Sequence, residues 1–442
     1  MSIFGAMTTA IGGLTAQSRA LGHASDNIAN SQTIGFKRVD TNFVSFVTNS
    51  STRIHEPGSV VARPAFRHDV QGAIEQVSSN TSLAISGAGF FGVTQAITVD
   101  TNTNLPIFDT RRFYTRAGDF ALDRNGYLVN GADYFLLGWP VDQNTLQPNQ
   151  AVIEPVRVTQ MIGAPVATSQ IDLSANLPGN APIAPAPGSS FTSTVGIYDP
   201  LGNLQTATIT WTHTGTNTWT ASFDMDSDGT VDGTLDFTFG ILPNTPGTLV
   251  PGGAGIQNNT GVVTAIGTPS TAGSPATATV TFNYGSGPQQ IVFNFGRYDE
   301  TAGLTQFAGT EYEVRAIEQN GVPPGAFSSV TIAESGDVIV NYDNGQRRTI
   351  YRVPVFRFSD PNRLERLDGQ AFAPTRDSGP ANPHNAGTQG TGTLVVAAIE
   401  RSNVDIAQEF TRLIVAQRAY SANTRVVSAS DEMLLETLNM KR

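Results

Sequence analysis

Three stretches of the chain have residue types at spacings that could do chemistry. Gly87–Ala88–Gly89–Phe90–Phe91–Gly92 spells G-x-G-x-x-G after an apolar strand pattern. To hold a pyrophosphate, that loop must open a helix whose N-terminal amides face the ligand. Val93, Thr94, Ile97, Thr98 and Val99 follow and read as strand, so the glycines read as a turn between strands. Asp224, Asp226, Asp228, Gly229 and Asp232 fall at positions one, three, five, six and nine of a calcium loop. Position twelve is Leu235 instead of a bidentate Glu, and strand patterns flank the loop. An acidic hairpin turn and a calcium loop both stay open. Asp377–Ser378–Gly379 resembles the serine loop of a hydrolase but lacks the flanking glycines. His23, His55, His68, His213 and His384 are scattered, and none shares a short motif with a carboxylate at metal spacing. The reading therefore assigns no catalytic residue, no cofactor and no metal, and expects a protein that is not an enzyme.

Composition narrows the class further. The net charge is −11, from 26 basic and 37 acidic residues. A nucleic-acid partner would need clustered Lys and Arg to neutralise phosphates, so none is expected. With no Cys, disulfides and thiolate chemistry are excluded. The first basic residue is Arg19 and no compact apolar run precedes it, so no cleaved secretory signal is expected. No window is apolar enough to predict membrane insertion. The chain holds 44 Gly and 25 Pro but only 14% charged residues, which fits many short strands joined by turns. Its length suggests two to four domains.

The elements that would position any site begin with the two ends. Residues 403–442 contain no Gly and no Pro. Ile406, Phe410, Leu413, Tyr420, Val427, Leu434 and Leu438 lie on one stripe at three- and four-residue steps, with Gln417, Thr424 and Asp431 filling the other positions. This predicts a heptad-like helix of roughly 55 Å, started by Asn403 with Asp405 and Glu409 in its early turns. Met7, Ile11, Leu14, Ser18, Leu21, Ser25 and Ile28 repeat the spacing near the other end, within a helix weakened by Gly5, Gly12, Gly13 and Gly22. Two heptad helices at opposite termini suggest that the termini pair.

Between them the text is β. Asp123–Arg124–Asn125–Gly126 signals a hairpin, 178–190 is rich in Pro, Gly, Ala and Ser, and 237–296 carries no charged side chain. The fold expected is mainly β with long terminal α-helices. Nested β domains would accompany a paired N- and C-terminal helical domain of coiled-coil type. Residues 1–30 and 403–442 form the helical domain, and 31–70 is a connecting segment with 374–402 as its return loop. Residues 71–165 with 310–373 form the first β domain, and 166–309 an inserted β domain.

Four stretches taken in order are specific. The first holds Asn27, Ile28, Ala29 and Asn30, then Gly35–Phe36–Lys37–Arg38. The second is Leu83–Ala84–Ile85–Ser86 with Gly87, Gly89 and Phe90. The third is Tyr114–Thr115–Arg116–Ala117–Gly118–Asp119–Phe120. The last holds Asn403, Asp405, Gln417, Arg418, Tyr420 and Asn423. Together they resemble the bacterial flagellar rod and hook family of axial proteins. Rod members are shorter and lack a large insert, so 166–309 makes the chain resemble the hook members.

That resemblance implies a homopolymer, a hollow flexible helical tube acting as a universal joint that transmits torque from motor and rod to filament. The terminal helices would form its inner wall and the inserted domain would face outward. Ile11, Leu14, Leu21, Ile28, Ile406, Phe410, Leu413, Tyr420, Val427, Leu434 and Leu438 would pack the polymer core. The implied partners are rod and hook–filament junction proteins, a hook cap and the flagellar export apparatus. The implied location is the extracellular flagellar hook, reached without a cleaved signal peptide. A distal rod-like subunit and a secreted β-rich adhesin are the alternatives.

Overall fold

The computed structural model describes residues 3–50, 55–101, 103, 105–142, 145–158, 163–179, 188–252, 254–267, 271–309 and 311–439. The chain is mainly β, with one long helix near each end, α1 (Ile3–Ala29) and α2 (Ile406–Asn439). It divides into two compact units. The first holds residues 1–160, 329–341 and 347–442, and the second 161–328 with 342–346. The second unit thus extends beyond the expected insert of 166–309, because Gly163 and Val166 bridge to Gly325 and Val322.

In the first unit α1 and α2 pack together, antiparallel: Asn27 meets Glu409 at one end, and Gly13 lies against Asn423 further along. The interface is made of small and polar side chains. Ala10, Gly13, Ala16, Ala24 and Asn27 are buried on α1, and Glu409, Ala416 and Ser430 on α2. A Cβ on Gly13 would come within 2.8 Å of the Asn423 amide, so the helices approach closely where the sequence is smallest. α2 does not start at Asn403. Asp405 is its cap, its Oδ1 accepting the amides of Ala407 at 3.0 Å and Gln408 at 3.2 Å.

The segment 31–70, expected to connect the first helix to the β domain, carries a β-hairpin. Val39–Ser50 (β1) and His55–Phe66 (β2) form a long antiparallel hairpin that pairs from Val39 with Phe66 to Ser50 with His55, with register shifts between Ser45 and Val47 and between Val47 and Asn49. Only one face of this ribbon meets helix, so few positions are buried and the alternation in the sequence is weak. It is fastened to α1 by Thr9 Oγ1 to the Gly58 carbonyl, Arg19 to the Ala62 carbonyl, and His23 with Thr41. Residues 51–54 lie outside the described residues, as do Lys441 and Arg442. The return loop 374–402 likewise contains strands. Asn382–His384 pairs with Val355–Arg357, Thr393–Val396 with Leu83–Ser86, and Ala398–Glu400 with Ile74–Gln76. Their partners are distant in sequence, so local pattern could not reveal them.

The main sheet of this unit runs Arg347–Arg352, Tyr134–Pro140, Phe90–Val99, Phe113–Thr115, Ala371–Ala373, Glu365–Arg366. Beside it Phe90, Tyr114, Phe356, Phe358, Leu364 and Phe372 form a buried cluster. The second unit is a two-sheet sandwich. One sheet is built on Ser190–Tyr198, Leu204–Gly215, Thr218–Asp224 and Gly233–Thr238, the other on Pro275–Asn283, Pro288–Arg297 and Gln170–Asn176. Alternation is strict along Leu204–Gly215, with Ala207, Ile209 and Trp211 inward and Thr206, Thr208 and Thr210 outward. Phe237 joins the two halves of the core, with ring centroids 5.2 Å from Trp211 and 4.8 Å from Phe295. Threonine on the outer positions suits a strand without charge, which explains the uncharged 237–296 stretch.

Replacing Phe237 by Ala should cost about 3–5 kcal/mol. Urea unfolding should show one transition moved to lower denaturant. The transition of the helical unit should stay in place, since that unit has its own core.

Candidate functional site

The three chemical motifs resolve into local structure. The glycine run is a turn between strands Leu83–Ser86 and Phe90–Val99. Gly87 and Gly89 have φ of 110° and 135°, and a Cβ at Gly92 would lie 2.3 Å from the Phe356 ring. No helix follows, so nothing there can cradle a pyrophosphate. Ser378 is buried in its own turn, its Oγ donating to the Thr375 carbonyl at 2.9 Å. Asp224, Asp226 and Asp232 bring carboxylate oxygens within 4.8 Å of one another in the hairpin loop after Thr218–Asp224. Asp224 accepts the Gly229 amide and Asp232 the Met225 amide, so these carboxylates cap the loop. Burial, together with the charges of Asp226, Asp224 and Asp228, raises the Asp232 carboxyl above its usual range.

The family-motif residues Asn27, Asn30, Gly35, Phe36 and Asn403 instead lie where the two helices meet the first β domain. Asn27 is buried and pairs with the backbone of Val39 through both side-chain atoms, each at 2.9 Å, and with Glu409 at 3.2 Å. Asn30 closes α1, donating to the Asp26 carbonyl and carboxylate. Gly35 has φ of 69° and its amide donates to the Glu400 carbonyl; a Cβ there would lie 2.5 Å from the Ala117 nitrogen. Phe36 is buried beneath the Arg366 guanidinium, 4.3 Å from the ring centroid. Asn403, expected as a helix cap, is a three-way tie. Its Oδ1 accepts from the Arg38 amide at 2.7 Å, and its Nδ2 donates to the carbonyls of Arg67 and Val70.

At the centre lies a buried charge triad that the sequence reading did not single out. Lys37 Nζ is 2.5 Å from Glu400 Oε1, and Arg116 Nη1 is 2.9 Å from Glu400 Oε2. All three side chains are fully buried. Backbone groups meet most of the remaining lone pairs and protons: Gly72 donates its amide to Glu400, Lys37 donates to the Val70 carbonyl, and Arg116 to those of Ile85 and Gly87, while Arg116 Nε has no partner among the described residues. Arg116 also lies over the Phe90 ring at 5.2 Å. Burial pulls the Lys37 ammonium down to about 8, with Glu400 opposing that fall and Arg116 adding to it. One signal existed in the sequence: Glu400 ends the apolar run Leu394–Ile399, where a charge needs a partner.

A second titratable group sits beside the triad. His68 is buried between Phe66 and Phe372, with centroids at 5.2 and 4.4 Å. Its Nδ1 is 3.0 Å from the Pro361 carbonyl, so Nδ1 carries the proton, and Nε2 has no partner among the described residues. Burial pulls its pKa to about 4, helped by the nearby Arg366 and Lys37 cations.

The residues expected to pack a polymer core are distributed differently. Ile11, Ile406, Phe410 and Tyr420 are exposed, and Leu14, Leu21, Ile28, Leu413, Val427 and Leu434 are half-buried. The Leu438 side chain lies outside the described residues. Of the motif residues on α2, Gln417 and Arg418 are exposed and Asn423 faces Gly13. The seam inside the subunit thus runs one residue before the expected stripe at most positions.

The chain is similar to known proteins. Three family profiles match in chain order: "Flagella basal body rod protein" over residues 7–37, "Flagellar basal body protein FlaE D2 domain" over 171–322, and "Flagellar basal body rod FlgEFG protein C-terminal" over 396–440. The flagellar hook protein FlgE of Brucella suis is 32% identical over 443 residues, covering all of both chains. The chain belongs to the flagellar hook protein family. The hook protein of Rhizobium meliloti is 29% identical over 451 residues, again covering all of both chains. A crystal structure of Helicobacter pylori flagellar hook protein FlgE2 aligns with a TM-score of 0.43 at 12% identity, covering 72% of this chain and 98% of that one. The protein is thus an axial structural subunit of the flagellum and not an enzyme.

Two outcomes follow for the triad and His68. Glu400→Gln leaves two buried cations without a counter-charge and should cost about 3–5 kcal/mol in urea unfolding; adding Lys37→Met should recover part of the loss. For His68 the native state holds no second proton, whereas the unfolded chain takes one near pH 6.5. Stability should therefore be full above pH 6.5 and decline by about 1.4 kcal/mol per pH unit as pH falls towards 4. His68→Gln should flatten that part of the pH profile.

Proposed function

We propose that copies of this chain assemble through their terminal helices into a hollow, flexible helical tube, the flagellar hook. The tube works as a universal joint passing torque from the motor and rod to the filament. The observation that carries this reading is the outer surface of the helix pair. Phe4 is 65% exposed, Phe410 50%, Ile414 49%, Val415 61% and Met433 58%. A monomer rarely leaves so much large apolar surface uncovered, and covering it with other copies is the economical solution. The small-residue seam uses little of that surface inside the subunit, which leaves the large side chains for neighbours.

In this reading the subunit is exported without a cleaved signal peptide and lies outside the cell. It meets the rod at one end of the tube and hook–filament junction proteins at the other, with a cap present during growth. The sandwich unit faces outward, and the hairpin 39–66 stands between the tube wall and the first β domain. As a paired ribbon fastened to α1, it can transmit torsion that a free linker would dissipate.

Phe410→Asp and Ile414→Asp test the assembly surface. Both side chains are exposed, so each change should alter the unfolding free energy of the free subunit by no more than about 0.5 kcal/mol. Electron microscopy should show tubes from the parent chain and none from either variant. Normal tubes from both variants would remove the helices from the assembly surface.

A further inference from the structure

The base of the hairpin is held to the first β domain by a titratable side chain. β2 ends at Phe66, and the chain continues as a surface strap to Ile74–Gln76. Between residues 63 and 81 every residue is exposed or half-buried except His68, which has no accessible surface. Its ring fills a slot between Phe66 and Phe372, and its Nδ1 donates to the Pro361 carbonyl. The backbone grips the same turn. The amides of His68 and Asp69 donate to Asn362 Oδ1 at 2.9 and 3.1 Å.

The slot suits only a neutral ring. Nε2 has no partner among the described residues, so a proton placed there would be a buried donor without an acceptor. The charged groups around it are Arg67 and Asp69 on the strap, Asp360 and Arg363 on the turn, Glu365 and Arg366 on the adjoining strand, and Lys37. Asp26 of α1 pairs with Arg366. Arg366 and Lys37 oppose a second charge on the ring, while the exposed Asp69 favours it. An apolar ring would hold the slot at every pH, whereas a histidine holds it only while neutral. A way out is open: a groove of about 580 Å³ lies beside the strap, lined by Pro64, Phe66, Arg67, Asp360, Asn362 and Thr375.

We propose that His68 is an acid-released latch: a second proton on its ring expels it from the slot and frees His68 and Asp69 from the turn 360–363, while the root around Glu400 stays closed. The next ties along the strap do not depend on that proton. Asn403 holds the carbonyls of Arg67 and Val70, and Glu400 accepts the Gly72 amide. Acid therefore loosens the joint between the hairpin and the first β domain without opening it. The latch is a property of the single chain, so it stands or falls apart from the assembly reading. A freed ring takes its proton near pH 6.5, whereas burial holds that of the closed ring to about 4. The open strap binds more protons, so each pH unit of acid between those values favours opening about tenfold.

Amide exchange on the free subunit from pH 7 to pH 5, corrected for the intrinsic pH dependence of exchange, tests the latch. Protection of the His68 and Asp69 amides should fall about tenfold per pH unit below 6.5. The Gly72 amide, bound by Glu400, and the Leu83 amide, bound by the Gly118 carbonyl, should keep theirs. His68→Phe fills the slot with a ring that takes no proton and should hold protection constant over the range. Unchanged protection in the parent chain would overturn the latch, and this reading needs no variant. So would equal loss at all four amides, which marks global unfolding, or a pH-dependent loss that persists in His68→Phe.

Discussion

Glu400 is a carboxylate with no access to water, held between two cations that have none either. Taking three charges out of water is costly, and the cost is offset only when every lone pair and proton is met. Here most are met by backbone from different parts of the chain, Val70 and Gly72 after the hairpin, Ile85 at the end of its strand and Gly87 in the glycine turn, with Lys37 following α1 and Glu400 preceding α2; Arg116 Nε alone of the triad's atoms is buried without a partner among the described residues. The triad can form only if both helix roots, the hairpin base and the first strands of the β domain are in their final places. It therefore acts as a condition on the geometry of the whole root more than as a source of stability.

In the proposed assembly that condition has a mechanical meaning. The helices present large apolar side chains to their surroundings and keep small ones between themselves, so the pair alone is a weak unit. What orients it relative to the first β domain is the root: Asn403 tying three backbone segments, Asn27 clasping Val39, and the charge triad beneath. Directional, short-range bonds of this kind resist rotation better than an apolar interface of equal area, because sliding breaks them at once. The directional bonds are concentrated where the helices meet the β domain, and the large apolar side chains are left on the outer surface of the helix pair.

The sandwich unit follows a separate logic. Its core of Trp211, Trp219, Phe223, Phe237, Phe293 and Phe295 is closed without help from the helices. Its outer strand positions are threonine-rich and nearly uncharged. A unit with its own core can be carried as an insertion without disturbing the root, since its two chain connections begin and end close together at Gly163 and Gly325.

By itself the sequence determined what is set by near neighbours. Heptad spacing without Gly or Pro made α2 legible, alternation made the sandwich strands legible, and four ordered motifs made the family legible. Spacing also located the helical faces to within one residue, but not which of two adjacent stripes would form the seam. Hydrophobicity points to the stripe with Phe410 and Ile11. The subunit closes on the stripe with Ala416 and Gly13, because two helices approach most closely where side chains are smallest, a property of the pair and not of either helix. The hairpin 39–66 was hidden because one face of a two-stranded ribbon buries few residues. The charge triad was hidden because Arg116 and Glu400 lie 284 positions apart, and only the folded chain makes them neighbours. Local periodicity is written along the chain; the pairing of buried charges and the choice of a seam depend on which distant surfaces meet, and the tertiary structure alone decides that.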